Sequence, residues 1–213
     1  MAKKIDINTS LKAQNDRIAD ANRSFFRGHN LRVYNLIGSP GCGKTSLLEA
    51  SAGILKERLA VIEGDVKTTQ DADRILRAGS KAVQIQTGGA CHLNAEMVQK
   101  ALRDMSFKGV DVLVIENVGN LVCPATFDLG EQAKVAVLSL PEGDEKPIKY
   151  PALFTRADLV LINKIDLKPV MDYSIDRVRS DCLKLKSGVT VIEISAKTLE
   201  GMAAWVQYLL GSS

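Results

Sequence analysis

The sequence has no large excess of charge of either sign. Its 28 lysine and arginine residues stand against 25 aspartate and glutamate residues, so the formal net charge is only +3, and the charged residues are scattered along the chain. Proteins that bind nucleic acid or a membrane surface usually concentrate one sign of charge in a block or stripe. The composition therefore predicts that neither nucleic acid nor a membrane is a partner.

The sequence also lacks a long apolar run. No run approaches the ~18 apolar residues that a membrane-spanning helix needs, and no positively charged stretch followed by an apolar core occurs at the N-terminus. We therefore expect a cytoplasmic protein. In the reducing cytoplasm, cysteines are expected to be free thiols or metal ligands rather than disulfides. The four cysteines are Cys42, Cys91, Cys123 and Cys182.

Repeats and low-complexity segments are absent as well, and 213 residues suit one α/β domain. Apolar strand patterns alternate with helical patterns, which predicts a mostly parallel sheet with helices on both faces. The predicted strands are 32–37, 60–63, 83–86, 110–115, 134–140, 159–163 and 189–194. The predicted helices are 44–58, 69–78, 94–105, 174–186 and 199–210.

Two segments stand outside this alternation. Residues 10–27 have a helical pattern with Ser10 as the N-cap, and we expect them to pack on the domain as an N-terminal arm (1–30) beside the main domain (31–213). The polar segment 141–151 contains three prolines, which predicts a loop rather than a helix or a strand.

A glycine-rich segment follows the first predicted strand. Its sequence, G-S-P-G-C-G-K-T, fits the phosphate-binding pattern G-x-x-x-x-G-K-[ST] between a buried strand and an apolar helix. In such a loop the backbone N–H groups face a polyphosphate, the lysine reaches the outer phosphates and the hydroxyl binds Mg²⁺. The fold class predicted is therefore α/β, a single P-loop NTPase domain. The residues assigned to the nucleotide are Gly38, Gly41, Cys42, Gly43, Lys44, Thr45 and Ser46.

Two acidic residues follow predicted strands. Asp65 comes after the second strand and Glu116 after the fourth, and ligands of open parallel sheets bind over the carboxyl ends of the strands. Mg²⁺ is typically held by one or two carboxylates together with phosphates. We therefore expect Thr45, Asp65 and Glu116 to bind Mg²⁺, and Lys44, Asp65 and Glu116 to form the catalytic group. Both acids could instead be simple strand-end caps.

The identity of the base is indicated by the motif N-K-I-D, which follows an apolar strand and ends at Asp166. A carboxylate at this place accepts two hydrogen bonds from the N1–H and N2–H₂ edge of guanine, whereas adenine would leave it unpaired. The tripeptide S-A-K ends the last predicted strand, where GTPases commonly carry it. The predicted ligands are therefore GTP and GDP. The residues assigned to the base are Asn163, Lys164, Asp166, Ser195, Ala196 and Lys197.

Two thiols and an imidazole form a candidate metal site. Cys91 and His92 precede a predicted helix, and Cys123 follows the strand that carries Glu116. These donors suit Zn²⁺ or Ni²⁺. Three ligands do not fill a tetrahedral site and a C-x₂-C pair is absent, so a water, a carboxylate or a second protomer would complete it. Alternatively, the cysteines are small buried residues and the histidine is an exposed cap.

Taken together, these segments resemble the HypB family, the GTPases that help insert nickel into [NiFe] hydrogenase. The resemblance runs from about residue 10 to the C-terminus and is carried by G-S-P-G-C-G-K-T, G-D-V-K-T-T-Q-D-A-D-R, T-G-G-A-C-H-L, E-N-V-G-N-L-V-C-P-A-T-F-D-L-G-E and N-K-I-D-L. It implies that Cys91, His92 and Cys123 bind Ni²⁺ or Zn²⁺ at an interface that forms with GTP.

The resemblance further implies a homodimer, favoured by GTP and metal, in which Lys149 contacts the guanine of the opposite protomer. It implies a hydrogenase large-subunit precursor and a companion nickel chaperone as partners. Many members carry an N-terminal cysteine motif or a histidine-rich tract for tight nickel binding, and residues 1–32 have neither. High-affinity nickel storage is therefore not expected.

The function predicted is a GTP-gated metallochaperone. Neither a water-positioning glutamine nor an arginine finger is identifiable, so we expect slow GTP hydrolysis. One alternative is the related urease accessory GTPase, although its Cys-Pro-His motif is absent here. Another is a regulatory GTP switch that recruits a partner through the N-terminal helix, with incidental cysteines.

Overall fold

The structure of the chain, a computed structural model, describes residues 7–65 and 70–211. Each predicted strand occurs in it, and the strands form one parallel sheet in the order β3-β2-β4-β1-β5-β6-β7. The strands are β1 (Arg32–Gly38), β2 (Leu59–Asp65), β3 (Lys81–Gln86), β4 (Val112–Glu116), β5 (Ala133–Ser139), β6 (Leu159–Asn163) and β7 (Thr190–Glu193). The α/β prediction is thereby confirmed.

Helices cover both faces of the sheet. They are α1 (Ile7–Gly28), α2 (Lys44–Leu55), α3 (Gln70–Arg77), α4 (Ala95–Leu102), α5 (Cys123–Thr126), α6 (Lys146–Lys149), α7 (Pro151–Phe154), α8 (Ile175–Leu185) and α9 (Met202–Leu210). The apolar clusters place α2, α3 and α9 on one face, and α1, α4, α5, α7 and α8 on the other. None of the helices within the described ranges is long and apolar enough to cross a membrane.

The central strands are buried on both faces, which explains why they are continuous apolar runs. Strands β4 and β6 are buried at every position. Side chains alternate between the faces, so Val135 and Val137 pack with α2 and α9, while Ala136 and Leu138 pack with α7 and α8. Trp205 lies fully buried in the first of these layers, where its indole N–H donates to Ser51 Oγ at 2.9 Å.

Parallel pairing aligns the carboxyl ends of the strands. Leu36 pairs with Glu116 across β1 and β4, and Gly38 pairs with Val137 across β1 and β5. The loops that follow these strands therefore leave from the same edge of the sheet, which is where ligands of such folds bind.

Helix α1 is held to this framework by buried asparagines. Asn15 accepts a hydrogen bond from the Ala95 N–H at 2.9 Å and donates to the Asp128 carbonyl at 2.8 Å. Asn22 donates to the carbonyls of Ala95 and Leu129 at 2.9 and 3.0 Å. The contacts join α1 to the start of α4 and to the turn before β5, although the division into an arm (1–30) and a domain (31–213) stays a prediction.

The predicted start of the first helix is wrong. Helix α1 begins at Ile7, so Ser10 lies inside its first turn rather than before it. Asn8, Thr9 and Ser10 are all cap-type residues, so the sequence alone does not single out where the helix begins.

The prediction of a plain loop over residues 141–151 is also wrong. A 3₁₀ turn at Leu140–Glu142 is followed by α6 and the start of α7. Pro147 and Pro151 occupy the first turns of these short helices, where a missing N–H breaks no helical hydrogen bond. The prolines therefore start helices here instead of preventing them.

The contribution of the Asn22 hydrogen bonds to the stability of the fold can be measured by replacing Asn22, which is almost fully buried. We expect Asn22→Ala to lower the free energy of unfolding by about 1–3 kcal/mol, because two buried carbonyls lose their donor. Urea unfolding gives this value. Ser24→Ala, an exposed position on the same helix, is the control and should change stability by less than about 0.5 kcal/mol. Equal effects of the two substitutions would contradict the conclusion that the Asn22 hydrogen bonds hold α1 to the rest of the fold.

Candidate functional site

The glycine-rich segment forms a tight loop between β1 and α2. Gly41 and Gly43 have φ angles of 77° and 96°, in the region that favours glycine. A Cβ on Gly43 would come within 2.5 Å of Asn163 Nδ2, so only glycine fits there. The Lys44 ammonium lies inside the loop and donates to the carbonyls of Gly38 and Ser39, both at 3.3 Å. A cation and a helix N-terminus thus meet at one point, as phosphate binding requires.

The other residues predicted to bind the nucleotide line the same loop in different ways. The Cys42 side chain is fully buried in the core, and burial raises the pKa of its thiol to about 11. Cys42 therefore offers the nucleotide its backbone only. Ser46 is exposed on the first turn of α2, and its hydroxyl accepts a hydrogen bond from Arg74 at 3.5 Å.

The residues predicted to bind Mg²⁺ lie beside this loop. The Thr45 hydroxyl donates to Glu116 Oε1 at 3.1 Å, and Glu116 is only 8% exposed at the end of β4. A hydroxyl and a carboxylate at contact distance are suitable ligands for Mg²⁺. Asp65 is the last residue of β2, but its side chain lies outside the described part of the chain, so its role stays a prediction.

A third acid near this point was missed by the sequence analysis. Glu63 is 2% exposed and is the register partner of Glu116 across β2 and β4. Neighbouring register partners point to the same face of a sheet, so the two carboxylates emerge side by side. The available signal was an acid inside an otherwise apolar strand.

The N-K-I-D motif joins the phosphate loop to the last strand. Asn163 Nδ2 donates to the Cys42 carbonyl at 3.0 Å, and Asn163 Oδ1 accepts from the Ala196 N–H at 3.2 Å. Lys164 adopts a left-handed conformation and donates to the Gly41 carbonyl at 2.7 Å. The residues predicted to bind the base therefore pack directly against those predicted to bind phosphate.

The carboxylate that would recognise guanine is oriented by the S-A-K tripeptide. Ser195 is buried, and its hydroxyl donates to Asp166 Oδ1 at 2.7 Å, which orients the carboxylate. Ala196 is half-buried and Lys197 is exposed beside it. Lys149, predicted to contact a guanine across a dimer, is exposed at the end of α6 and forms an ion pair with Glu145 at 2.7 Å.

Another cation, which no sequence motif signals, reaches the phosphate loop. Lys146 donates to Ser39 Oγ at 3.4 Å and contacts Glu142 at the same distance. It was overlooked because the surrounding segment was predicted to be an irregular loop, whereas α6 turns this side chain toward Ser39.

The two thiols and the imidazole of the candidate metal site come together. The ligand atoms of Cys91, His92 and Cys123 all lie within 4.8 Å of one another, and Cys91 Sγ is 3.4 Å from His92 Nδ1. The alternative, in which the two cysteines are small buried residues, is not supported, because Cys91 is exposed and Cys123 is half-buried. Among the described residues, no further cysteine, histidine or carboxylate joins the group.

The surroundings of these three residues suit metal binding. Burial lowers the pKa of His92. The hydrogen bond with Cys123 acts the other way on Cys91 and raises the pKa of its thiol, so a metal ion must displace that proton to bind the sulfur. A lowered pKa keeps the imidazole neutral, which is the form that binds metal. The His92 ring also stacks on Phe127, with ring centroids 4.0 Å apart, and this fixes its orientation. Two thiols and a neutral imidazole fit Ni²⁺ or Zn²⁺.

Comparison with known proteins identifies the family to which this chain is similar. Residues 32–193 match the model of the family described as CobW/HypB/UreG, nucleotide-binding domain. The hydrogenase maturation factor HypB of Azotobacter vinelandii is 48% identical over 205 residues, which is 95% of this chain and 68% of the relative.

Two solved structures are also similar. HypB from Helicobacter pylori in complex with nickel has a TM-score of 0.89 at 39% identity, covering 93% of this chain and 94% of that one. The hydrogenase maturation factor HypB from Archaeoglobus fulgidus has a TM-score of 0.86 at 37% identity, covering 93% and 98%. These relatives do not favour the urease-accessory or regulatory-switch alternatives. The chain belongs to the CobW/HypB/UreG family of nucleotide-binding domains and, within it, to the hydrogenase maturation factors HypB.

Proposed function

We propose that this chain is a GTP-hydrolysing metallochaperone that helps to deliver nickel during [NiFe]-hydrogenase maturation. The observation that carries the proposal is the convergence of Cys91, His92 and Cys123 within 4.8 Å, at the sheet edge that also carries the phosphate loop. The similarity to the H. pylori HypB, solved in complex with nickel, supports nickel as the cargo. Zn²⁺ suits the same donors.

The nucleotide proposed is GTP, with its guanine on Asp166 and its phosphates in the loop that ends at Lys44 and Thr45. Hydrolysis adds water to the γ-phosphorus, breaks its bond to the β–γ bridging oxygen and releases GDP and phosphate. Lys44 and the loop N–H groups would stabilise negative charge on the outer phosphates. Mg²⁺, held by Thr45, Glu116 and Asp65, would neutralise charge on the β- and γ-phosphate oxygens.

The coupling between nucleotide and metal is proposed to run through the segment between Glu116 and Cys123. Glu116 accepts a hydrogen bond from Thr45, and Cys123 lies seven residues further along the chain. A change at the nucleotide would therefore move a metal ligand. A tenfold difference in metal affinity between the GTP and GDP states corresponds to about 1.4 kcal/mol of coupling free energy.

The three donors of Cys91, His92 and Cys123 do not fill a four-coordinate site, so a partner can supply the remaining ligand. We propose a homodimer favoured by GTP and metal, in which a second copy of the triad supplies further donors. The exposed Lys149 is proposed to contact the guanine of the opposite protomer. A hydrogenase large-subunit precursor and a companion nickel chaperone are the proposed protein partners.

Guanine selection is tested with Asp166→Asn. We expect GTP affinity to fall by about 100-fold, because each hydrogen bond to a charged group contributes about 1.5–3 kcal/mol. Affinity for xanthosine triphosphate should rise, since the amide can donate to the carbonyl that replaces the guanine amino group. Titration calorimetry measures both nucleotides. Asp172→Asn, an exposed aspartate outside the site, is the matched control, and an unchanged preference in Asp166→Asn would refute the assignment.

The metal site is tested with Cys123→Ser, which replaces a soft sulfur donor by a hydroxyl oxygen that binds Ni²⁺ and Zn²⁺ poorly. Elemental analysis and light scattering are run with GDP and with a non-hydrolysable GTP analogue. The unmodified protein should double its mass and retain nickel with the analogue, and the variant should lose the nickel. Cys182→Ala, at a buried core position, should lower stability but keep the metal. Full nickel retention by Cys123→Ser would exclude this triad as the site.

Turnover is expected to be slow, on the order of 10⁻⁴ to 10⁻² per second, as in GTPases that lack a complete set of transition-state-stabilising groups. Phosphate release by the purified protein gives the rate. Lys44→Ala should abolish it, which shows that the activity belongs to this site. A rate of tens per second, or activity that survives in Lys44→Ala, would contradict the expectation.

A further inference from the structure

Two asparagine side chains hold the backbone on both sides of His92. Asn117 Oδ1 accepts a hydrogen bond from the Leu93 N–H at 3.0 Å. Asn120 Nδ2 donates to the Cys91 carbonyl at 3.3 Å. Both asparagines belong to the loop 117–122 that leads into α5, and α5 begins with Cys123. One loop therefore carries the third ligand and also holds the peptide segment of the other two.

Asn117 is firmly anchored at the centre of the sheet. It is 1% exposed, and its backbone N–H donates to the Leu36 carbonyl at 3.0 Å. Its side-chain Nδ2 donates to Asn35 Oδ1 at 3.1 Å, and its Oδ1 also accepts from the Val118 N–H at 3.1 Å. The amide thus connects β1, which leads into the phosphate loop, with the segment that carries His92.

Asn120 forms a second bridge that is less deeply buried. Its Oδ1 accepts from the Val122 N–H at 2.9 Å, while its Nδ2 reaches Cys91. The amide is therefore a direct link between the residue before Cys123 and the backbone of Cys91.

The same loop contacts the nucleotide-binding segment through Gly119, and the residue before the loop makes a second contact. Its preceding residue Glu116 accepts from Thr45, and Gly119 packs so closely on Pro40 that an added Cβ would lie 2.8 Å from Pro40 Cγ. A shift of the phosphate loop would therefore displace Glu116, just before the loop 117–122, and Gly119 within it. Because Asn117 and Asn120 flank Gly119, the shift also reaches their hydrogen bonds to the Cys91–Leu93 segment.

We propose that Asn117 and Asn120 are positioning residues that make the placement of Cys91 and His92 depend on the bound nucleotide. This inference rests on the proposed function, since it names the contacts that would transmit its nucleotide dependence. The asparagines bind neither the nucleotide nor the metal. They keep the Cys91–His92 peptide and Cys123 moving as one unit, so that the geometry of the triad follows the phosphate loop.

A purely structural role for these asparagines has a different consequence. If they only fasten loops, their loss lowers stability and weakens Ni²⁺ binding equally in both nucleotide states. If they transmit the nucleotide state, their loss changes the ratio of the two affinities. The ratio is therefore the diagnostic quantity, because linkage also requires nickel to change the affinity for nucleotide by the same factor.

The experiment uses the full chain and compares Asn117→Ala and Asn120→Ala with Asn94→Ala. Asn94 lies two residues after His92, and its side chain caps α4 by accepting from the Met97 N–H at 2.9 Å. For each variant, Ni²⁺ affinity is measured with GDP and with a non-hydrolysable GTP analogue. The affinities for both nucleotides are then measured with and without Ni²⁺, and thermal unfolding reports whether each variant is folded.

We expect the unmodified protein and Asn94→Ala to show an affinity ratio of about tenfold or more between the two states, equivalent to about 1.4 kcal/mol. Asn120→Ala and Asn117→Ala should bring the ratio to within about twofold of unity, in both the metal and the nucleotide titrations. If Asn117→Ala does not fold, Asn120→Ala alone decides the outcome.

Three results would overturn the proposal, and they separate it from the proposed function. A wild-type ratio that persists in Asn120→Ala rejects the role of the asparagines and leaves the metallochaperone function intact. Loss of the ratio in Asn94→Ala as well shows that any disturbance near His92 abolishes it, which also rejects a specific role. A ratio of one in the unmodified protein rejects both the asparagine role and the nucleotide-coupled metal site.

Discussion

The parallel pairing of β1 with β4 is the constraint on which the rest of the molecule depends. It sets Leu36 opposite Glu116, so the phosphate loop and the loop that leads to Cys123 emerge next to each other. The contact between Thr45 and Glu116 follows directly from this register. In a sheet with a different strand order, the same two motifs would be present without touching.

Buried polar groups make this pairing specific. Asn35, Asn117 and Glu131 form a hydrogen-bonded chain beneath the site, in which Asn117 donates to Asn35 and Asn35 donates to Glu131 at 3.2 Å. Glu131, the last member of this hydrogen-bonded series, also forms an ion pair with Lys134. A buried group that loses its partner costs about 1–3 kcal/mol, so an alternative register that separates these residues is strongly disfavoured. The network thereby fixes the positions, relative to each other, of the loops proposed to bind phosphate and metal.

Much of the fold could be predicted because its signals are local. Apolar runs such as V-L-V-I and L-V-L-I are typical of buried parallel strands, and the phosphate-loop pattern located the turn between β1 and α2. The failures have local causes too. Pro147 and Pro151 predict an irregular segment, yet in a first turn proline is compatible with a helix. Glu63, Lys146, Asn117 and Asn120 were missed because their importance lies in their partners, which are distant in the chain.

The sequence by itself determined the phosphate loop, the N-K-I-D motif and the family, since each depends on residue types at short, constant spacing. Only the tertiary structure decided that Cys91 and His92 meet Cys123. It also decided that two asparagines, from the loop that leads to Cys123, form hydrogen bonds to the backbone on either side of His92. The physical reason is that separation along the chain does not define distance in space. Strand order and register define it, and they result from burial and hydrogen bonding summed over the whole sheet.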